Sequence, residues 1–280
     1  MGRRRRTDTG EDSSTDTGED TSEDTSTDTP PPLSSRCIVA SGIMGACAHG
    51  VYADDWSGDL RYTWKITDGY NHSTLSVTEG GVSADITTIV TTSSWHLVGG
   101  LTVTPDGDLI LGGITLPYVS LTVGSESVYL GADYVRFVIR VSPDGELRWV
   151  NTFVGVTSEL SVVAARSDGT ALVSGFVYQD TAFGSIDLIT TYFYNMAFVA
   201  AMDGDGTWLW ATSAPVPSTG TTRVYFDDMQ LNADEEAEVD VRYQSSVDVS
   251  EGSFTCAARV TCPATATVNA DGEWTSVVAR

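Results

Sequence analysis

The chain repeats itself, and the repeat dictates an architecture. Phe137-Val-Ile-Arg-Val-Ser-Pro-Asp-Gly-Glu-Leu-Arg-Trp149 runs in phase with Phe198-Val-Ala-Ala-Met-Asp-Gly-Asp-Gly-Thr-Trp-Leu-Trp210, which places Trp149 and Trp210 61 residues apart. A weaker third copy, Ala264-Thr-Ala-Thr-Val-Asn-Ala-Asp-Gly-Glu-Trp-Thr-Ser276, begins 66 residues after Phe198. Asp55-Trp-Ser-Gly-Asp-Leu-Arg-Tyr62 reads as a degenerate fourth copy, with Tyr62 at the tryptophan position. A second element keeps step with the first. Leu101–Gly112 resembles Val163–Ser174, and Leu231–Val239 is its eroded form, with Glu235 in place of the turn glycine. From the first turn to the second, Asp106 to Asp144 spans 38 residues, Asp168 to Asp205 spans 37 and Asp234 to Asp271 spans 37.

Each element is an alternating apolar run, an Asp-Gly turn and a second β-rich run. That pattern predicts a hairpin, because glycine accepts the positive φ that a tight turn requires. One unit is therefore a hairpin, a connector of about twenty residues and another hairpin. Four antiparallel strands in about 60 residues make one blade of a β-propeller. Helical periodicity appears nowhere at length. The predicted class is all-β.

Phe198–Ala211, Asp168-Gly-Thr-Ala-Leu-Val-Ser-Gly-Phe176 and Thr181-Ala-Phe-Gly184 resemble the repeat of bacterial secreted β-propeller (SBBP-type) cell-surface proteins. The resemblance is specific over 156–214, fair over 96–153 and poor over 221–280. It implies export and a propeller or propeller-like array. It implies no catalytic residue set.

Counting the units gives 37–95, 96–153, 156–214 and 221–280, about four four-stranded blades. The first is irregular, because 37–66 reads as a second hairpin only, and the insert Ser73–Val90 would complete its blade out of order. An incomplete array would leave pairing edges exposed. Closure into a four-bladed propeller is therefore the favoured expectation.

The formal net charge is −23, and 29 acidic residues face 11 basic ones from Leu33 onward. This excludes a nucleic-acid partner, which needs a basic stripe to offset phosphate repulsion. It also excludes adhesion to an anionic membrane. No stretch approaches the roughly 18 to 20 apolar residues of a transmembrane span. Lys65 is the one lysine, which fits a salty exterior and equally a GC-rich coding bias. Residues 1–36 read as a disordered tail, its Thr/Asp/Glu/Ser-rich repeat ending in the Pro30–Pro32 spacer. Arg3–Arg6 resembles the start of an export signal, but no apolar stretch follows it. Met44-Gly-Ala-Cys47 is a faint lipobox, the basis for a lipoprotein reading. The expected location is extracellular or cell-surface, with the export signal lying upstream of a misplaced or downstream start.

Cys37, Cys47, Cys256 and Cys262 allow three disulfide pairings, of which the local one (37–47, 256–262) is simplest. Neither spacing suits a zinc knuckle. Asp203-Gly-Asp-Gly206 is the best calcium candidate, through Asp203 and Asp205, but the acids that complete a calcium loop are absent. Plain turn chemistry accounts for the same residues. No other cofactor is implied. His49, His72 and His96 lack ligand spacing and read as surface or loop residues. No catalytic constellation is identifiable. Trp149, Trp208, Trp210 and Trp274 are either sugar platforms or, by their recurrence, packing residues, with Trp208 and Trp274 expected on the same strand face as the other two. Insertions gather at Thr67–Ser94, Phe153–Glu159 and Pro215–Tyr225, the candidate contact loops. The expectation is a monomeric, non-catalytic scaffold binding a protein or polysaccharide. A glycan-active enzyme and a fragment of a longer array are the alternatives.

Overall fold

The computed structural model describes residues 52–68, 71–92, 96–154, 159–177, 180–189, 196–215, 224–243, 247–249, 252–256 and 261–280. Every regular element among them is a strand. The lipobox residues, Cys37, Cys47, His49 and the acidic tail lie outside the described residues, as do most of the loops at 153–159 and 215–225.

The first blade is β1 (Tyr52–Ser57), β2 (Leu60–Asp68), β3 (His72–Glu79) and β4 (Val82–Thr91), paired in that order. Asp55–Tyr62 is therefore the first hairpin of its blade rather than the second, and 73–90 completes the blade in sequence order. The supposed contact loop at 67–94 is mostly these two outer strands. Tyr62 does not stand at the tryptophan position; it is buried in β2. The misreading has a local cause. This blade turns through two residues, Gly58–Asp59 and Gly80–Gly81, with positive φ at all three glycines. The other blades use a three-residue loop.

The second blade is β5 (His96–Val103), β6 (Leu109–Thr115), β9 (Val135–Val141) and β10 (Leu147–Val154), with β7 (Ser120–Val123) and β8 (Glu126–Tyr129) between. The third is β11 (Glu159–Ala165), β12 (Ala171–Val177), β15 (Met196–Met202) and β16 (Trp208–Ser213), enclosing β13 (Thr181–Phe183) and β14 (Ile186–Leu188). The fourth is β17 (Val224–Leu231), β18 (Ala237–Tyr243), β21 (Cys262–Val268) and β22 (Trp274–Ala279), enclosing β19 (Val247–Val249) and β20 (Gly252–Phe254). His72 and His96 open strands rather than lying in loops.

The twenty-residue connector thus holds a third hairpin, which works as a clasp. β7 pairs with β4 of the preceding blade, Val90 opposite Thr122, and β13 pairs with β10, Phe153 opposite Phe183. Two sheets become six-stranded in this way. In the fourth blade β19 and β20 form a separate two-stranded sheet beside β22. A Cys256–Cys262 disulfide, Cα atoms 5.8 Å apart, closes the segment between β20 and β21.

Three apolar clusters fill the three gaps between successive blades. The middle blades are buried on both faces, so their third strands are unbroken buried runs, Val135–Val141 and Met196–Met202. Phe137, Ile139 and Val141 point to the first blade while Val138 points to the third. Ala197, Val199 and Ala201 point to the fourth while Phe198, Ala200 and Met202 point to the second.

The array is open: inner strands β1, β5, β11 and β17 are neighbours in succession, with no comparable contact returning from β17 to β1 among the described residues. The favoured expectation of closure is corrected, while its alternative, an incomplete propeller-like array, is what the sheets form, and the end sheets show why. In the fourth blade Ala237, Val239 and Val241 face inward while Glu238, Asp240 and Arg242 lie on the other face. That outer face is laced with polar contacts: Thr265 to Asp240 at 2.9 Å and Arg242 to Asp227 at 2.7 Å. The first blade is bonded in the same way, the Ser76 hydroxyl donating to the Asp85 carboxylate at 3.1 Å and the Thr78 and Ser83 hydroxyls sharing a bond of 2.7 Å. Joining two such faces would desolvate polar groups without apolar gain. Repeat arrays end on polar faces for the same reason.

Candidate functional site

Six hairpin turns share one backbone solution. In 104–108, 142–146, 166–170, 203–207, 232–236 and 269–273, the first residue's N–H donates to the fifth carbonyl, and the fourth residue's N–H donates to the first carbonyl. The fourth residue has positive φ in each, including Glu235 at 60° where glycine is replaced. Such a three-residue loop is a type I turn closed by a left-handed residue.

Asp203 serves this geometry. Its Oδ1 accepts the N–H of Asp205 at 3.0 Å and of Thr207 at 2.8 Å. Asn232 and Asn269 use an amide oxygen identically in the equivalent turns. The position needs an acceptor rather than a charge. Among the described residues, no group of three or more acids, histidines or cysteines converges on Asp203 and Asp205, or elsewhere, as a metal site would.

A bulge follows each outer turn, and it sorts the tryptophans. Ala201 pairs with Trp210 but Met202 pairs with Trp208, so Leu209 is the extra residue. Trp208 therefore packs on the cluster between the second and third blades, and Trp210 on the cluster between the third and fourth. The expectation that they share a face is overturned by this one residue. The rule recurs: Trp149 packs toward the third blade, and Trp274 back toward the third.

Trp149 and Trp208 consequently meet at one junction. With Val150, Asn151, Gly184, Ser185, Asp205, Gly206 and Thr207 they line an open depression of about 320 Å³. Its parts come from three elements: the outer strand of the second blade, the tip of the clasp hairpin and the outer turn of the third blade. Trp149 Nε1 donates to the Gly204 carbonyl at 2.9 Å. Asn151 Nδ2 donates to the Gly206 carbonyl. Trp208 sits edge-on to Phe153 and Phe183, at ring separations of 5.9 and 5.0 Å. Its Nε1 is buried without a hydrogen-bond partner among the described residues.

Arg140 fixes the turn that forms one wall. It is buried, with Nε 2.8 Å from Asp108, Nη2 2.5 Å from Asp106 and Nη1 donating to the Gly204 carbonyl at 2.8 Å. Thr104 and Arg140 together hold the Asp106 carboxyl below the usual carboxylate range, against desolvation, which pushes it up. Arg166 does similar work one junction on, donating to the Glu235 carbonyl at 2.9 Å. Sequence reasoning missed both arginines and Asn151. The signal for Arg140 was its charge within the apolar run Phe137–Val141; Asn151 carried none. The chain matches no family model and no curated protein.

Proposed function

We propose that the protein is an exported or cell-surface scaffold without catalysis, which binds extracellular polysaccharide. The observation that carries this reading is the depression between the second and third blades. Two half-buried indoles flank an amide, two hydroxyls and one carboxylate. That mixture suits a pyranose ring, whose C–H faces pack on aromatic carbon while its hydroxyls find polar partners. Asp205 is the one ionisable group among the lining residues. Glycoside hydrolysis by its usual route needs two positioned carboxylates, so binding fits better than turnover. The body's charge disfavours an anionic glycan and favours a neutral one. The resemblance of 156–214 to secreted β-propeller repeats supports the location.

The test is a binding and hydrolysis screen of the intact protein against neutral polysaccharides, with calcium and with chelator. Saturable binding without product release is expected. Release of reducing ends, or no binding to any polysaccharide, overturns the proposal.

A further inference from the structure

The two inter-blade junctions downstream of the second blade are built from equivalent positions, and one difference between them points to a ligand. Turn phase equates Trp149 with Trp210, Asn151 with Thr212, Gly206 with Gly272 and Trp208 with Trp274. Most of the bonding is conserved between the two. Trp149 Nε1 donates to the Gly204 carbonyl at 2.9 Å, and Trp210 Nε1 to the equivalent Ala270 carbonyl at 2.8 Å. Gly206 lies on the Trp149 indole as Gly272 lies on that of Trp210.

The other indole differs. Trp274 Nε1 donates to Thr212 Oγ1 at 3.1 Å, so that junction is internally satisfied. At the Thr212 position the earlier junction has Asn151, whose amide is turned to the Gly206 carbonyl. Trp208 Nε1 is left buried with no acceptor among the described residues. An unpaired buried donor is destabilising, and the neighbouring junction shows that one hydroxyl relieves it. The unpaired donor lies at the junction that carries the open depression.

We infer that Trp208 Nε1 is the orienting donor of the site, held for a hydroxyl or ring oxygen of a neutral pyranose, and that Asn151 keeps it free. The tip of the β13–β14 clasp covers the pyrrole side of Trp208, since a β-carbon on Gly184 would lie 3.1 Å from Cδ1. For a sugar to reach the donor, the tip has to move aside. Trp149 and Trp208 supply carbon faces, and Ser185, Thr207 and Asp205 supply hydroxyl partners. The junction between the third and fourth blades is the closed twin. This inference rests on the glycan-binding reading and specifies its site.

Two measurements test it on the full chain, with neutral oligosaccharides of glucose, mannose, galactose and xylose as probes. In ¹⁵N spectra of the seven tryptophan indoles, the Trp208 N–H resonance should move on titration while that of Trp274 stays. Asn151→Thr should supply the missing acceptor, leave the thermal midpoint no lower than that of the wild type and weaken binding at least tenfold. Binding with a stationary Trp208 resonance, or with unchanged affinity in Asn151→Thr, overturns the inference while leaving glycan binding standing. No binding of any probe at millimolar concentration overturns both.

Discussion

Gly206 lies against the Trp149 indole so closely that a β-carbon on it would fall 2.9 Å from Cδ2 and 3.1 Å from Cε2. The same residue has φ of 83°. Glycine there answers two demands at once, the turn's left-handed residue and the seat of a neighbouring blade's tryptophan. Gly272 repeats both against Trp210, with φ of 84° and a closest approach of 2.8 Å. The blades are thus joined by aromatic rings pressed on turn backbones, in addition to their apolar cores.

The two demands can be separated by mutation. Gly169 has φ of 86°, and a β-carbon on it would meet nothing within 4 Å, so Gly169→Ala tests the turn alone. A left-handed alanine costs about 1 to 2 kcal/mol. Gly206→Ala adds overpacking against Trp149, typically about 1 to 3 kcal/mol more. Urea denaturation should rank the two variants in that order by at least about 1 kcal/mol. Equal losses would mean that the ring contact is incidental.

Acid should loosen the turn face. Thr104 and Arg140 hold Asp106 below its ordinary 3.8, and the Thr170 backbone N–H leads in holding Asp168 below the same value. Both carboxyls are depressed on folding, so their contribution is complete above the unfolded value and is lost as pH falls through the folded one. Stability should be flat above about pH 5 and fall below about pH 4. Asp106→Asn with Asp168→Asn should show a shallower acid limb than wild type. Parallel limbs would remove these two groups from the account.

Much of this was legible in the sequence. The fixed turn spacing gave the hairpins, and the recurrence of Trp149 and Trp210 gave their packing role. Even the openness of the array was written there, in the alternation Ala264-Thr-Ala-Thr-Val268 against the unbroken apolar run at Met196–Met202. Ser276 fits the same pattern, since it stands at the Trp149 position in the fourth blade, against which no further blade packs among the described residues. Other features lay below what pattern reading can reach. A single bulge residue, Leu209, decides which junction each tryptophan serves, and a period-two reading places Trp208 and Trp210 together. The clasps were hidden because their short strands join a different blade from the one whose sequence encloses them. Asn151 matters through comparison with Thr212 in space, a relation no spacing announces.

The Cys256–Cys262 bridge closes a short loop, for which chain entropy gives about 2 kcal/mol. It sits where the connector hairpin of the fourth blade departs from the pattern, with β19–β20 beside β22 of its own blade instead of paired to β16. Replacing both cysteines by alanine should lower stability by about that amount. Amide exchange should quicken in 247–254 before it does in β18. Uniform exchange across the fourth blade would show that the bridge does not anchor the hairpin locally.

The polar end faces lead to the last expectation. Asp240, Thr265 and Val278 lie side by side across β18, β21 and β22, and Val278 is 63% exposed. Asp240 and Thr265 are bonded to each other at 2.9 Å, and Arg280 pairs with Asp240 at 2.5 Å. If these groups keep the sheet from stacking on another, Asp240→Val with Thr265→Val should create an apolar row where chains associate face to face. Two such rows bury less than the roughly 1,200 Å² of a stable interface. Sedimentation should therefore show weak, concentration-dependent association in the variant and a monomer in the wild type. A variant that stays folded and monomeric at high concentration would show that end-face polarity does not set the length of the array.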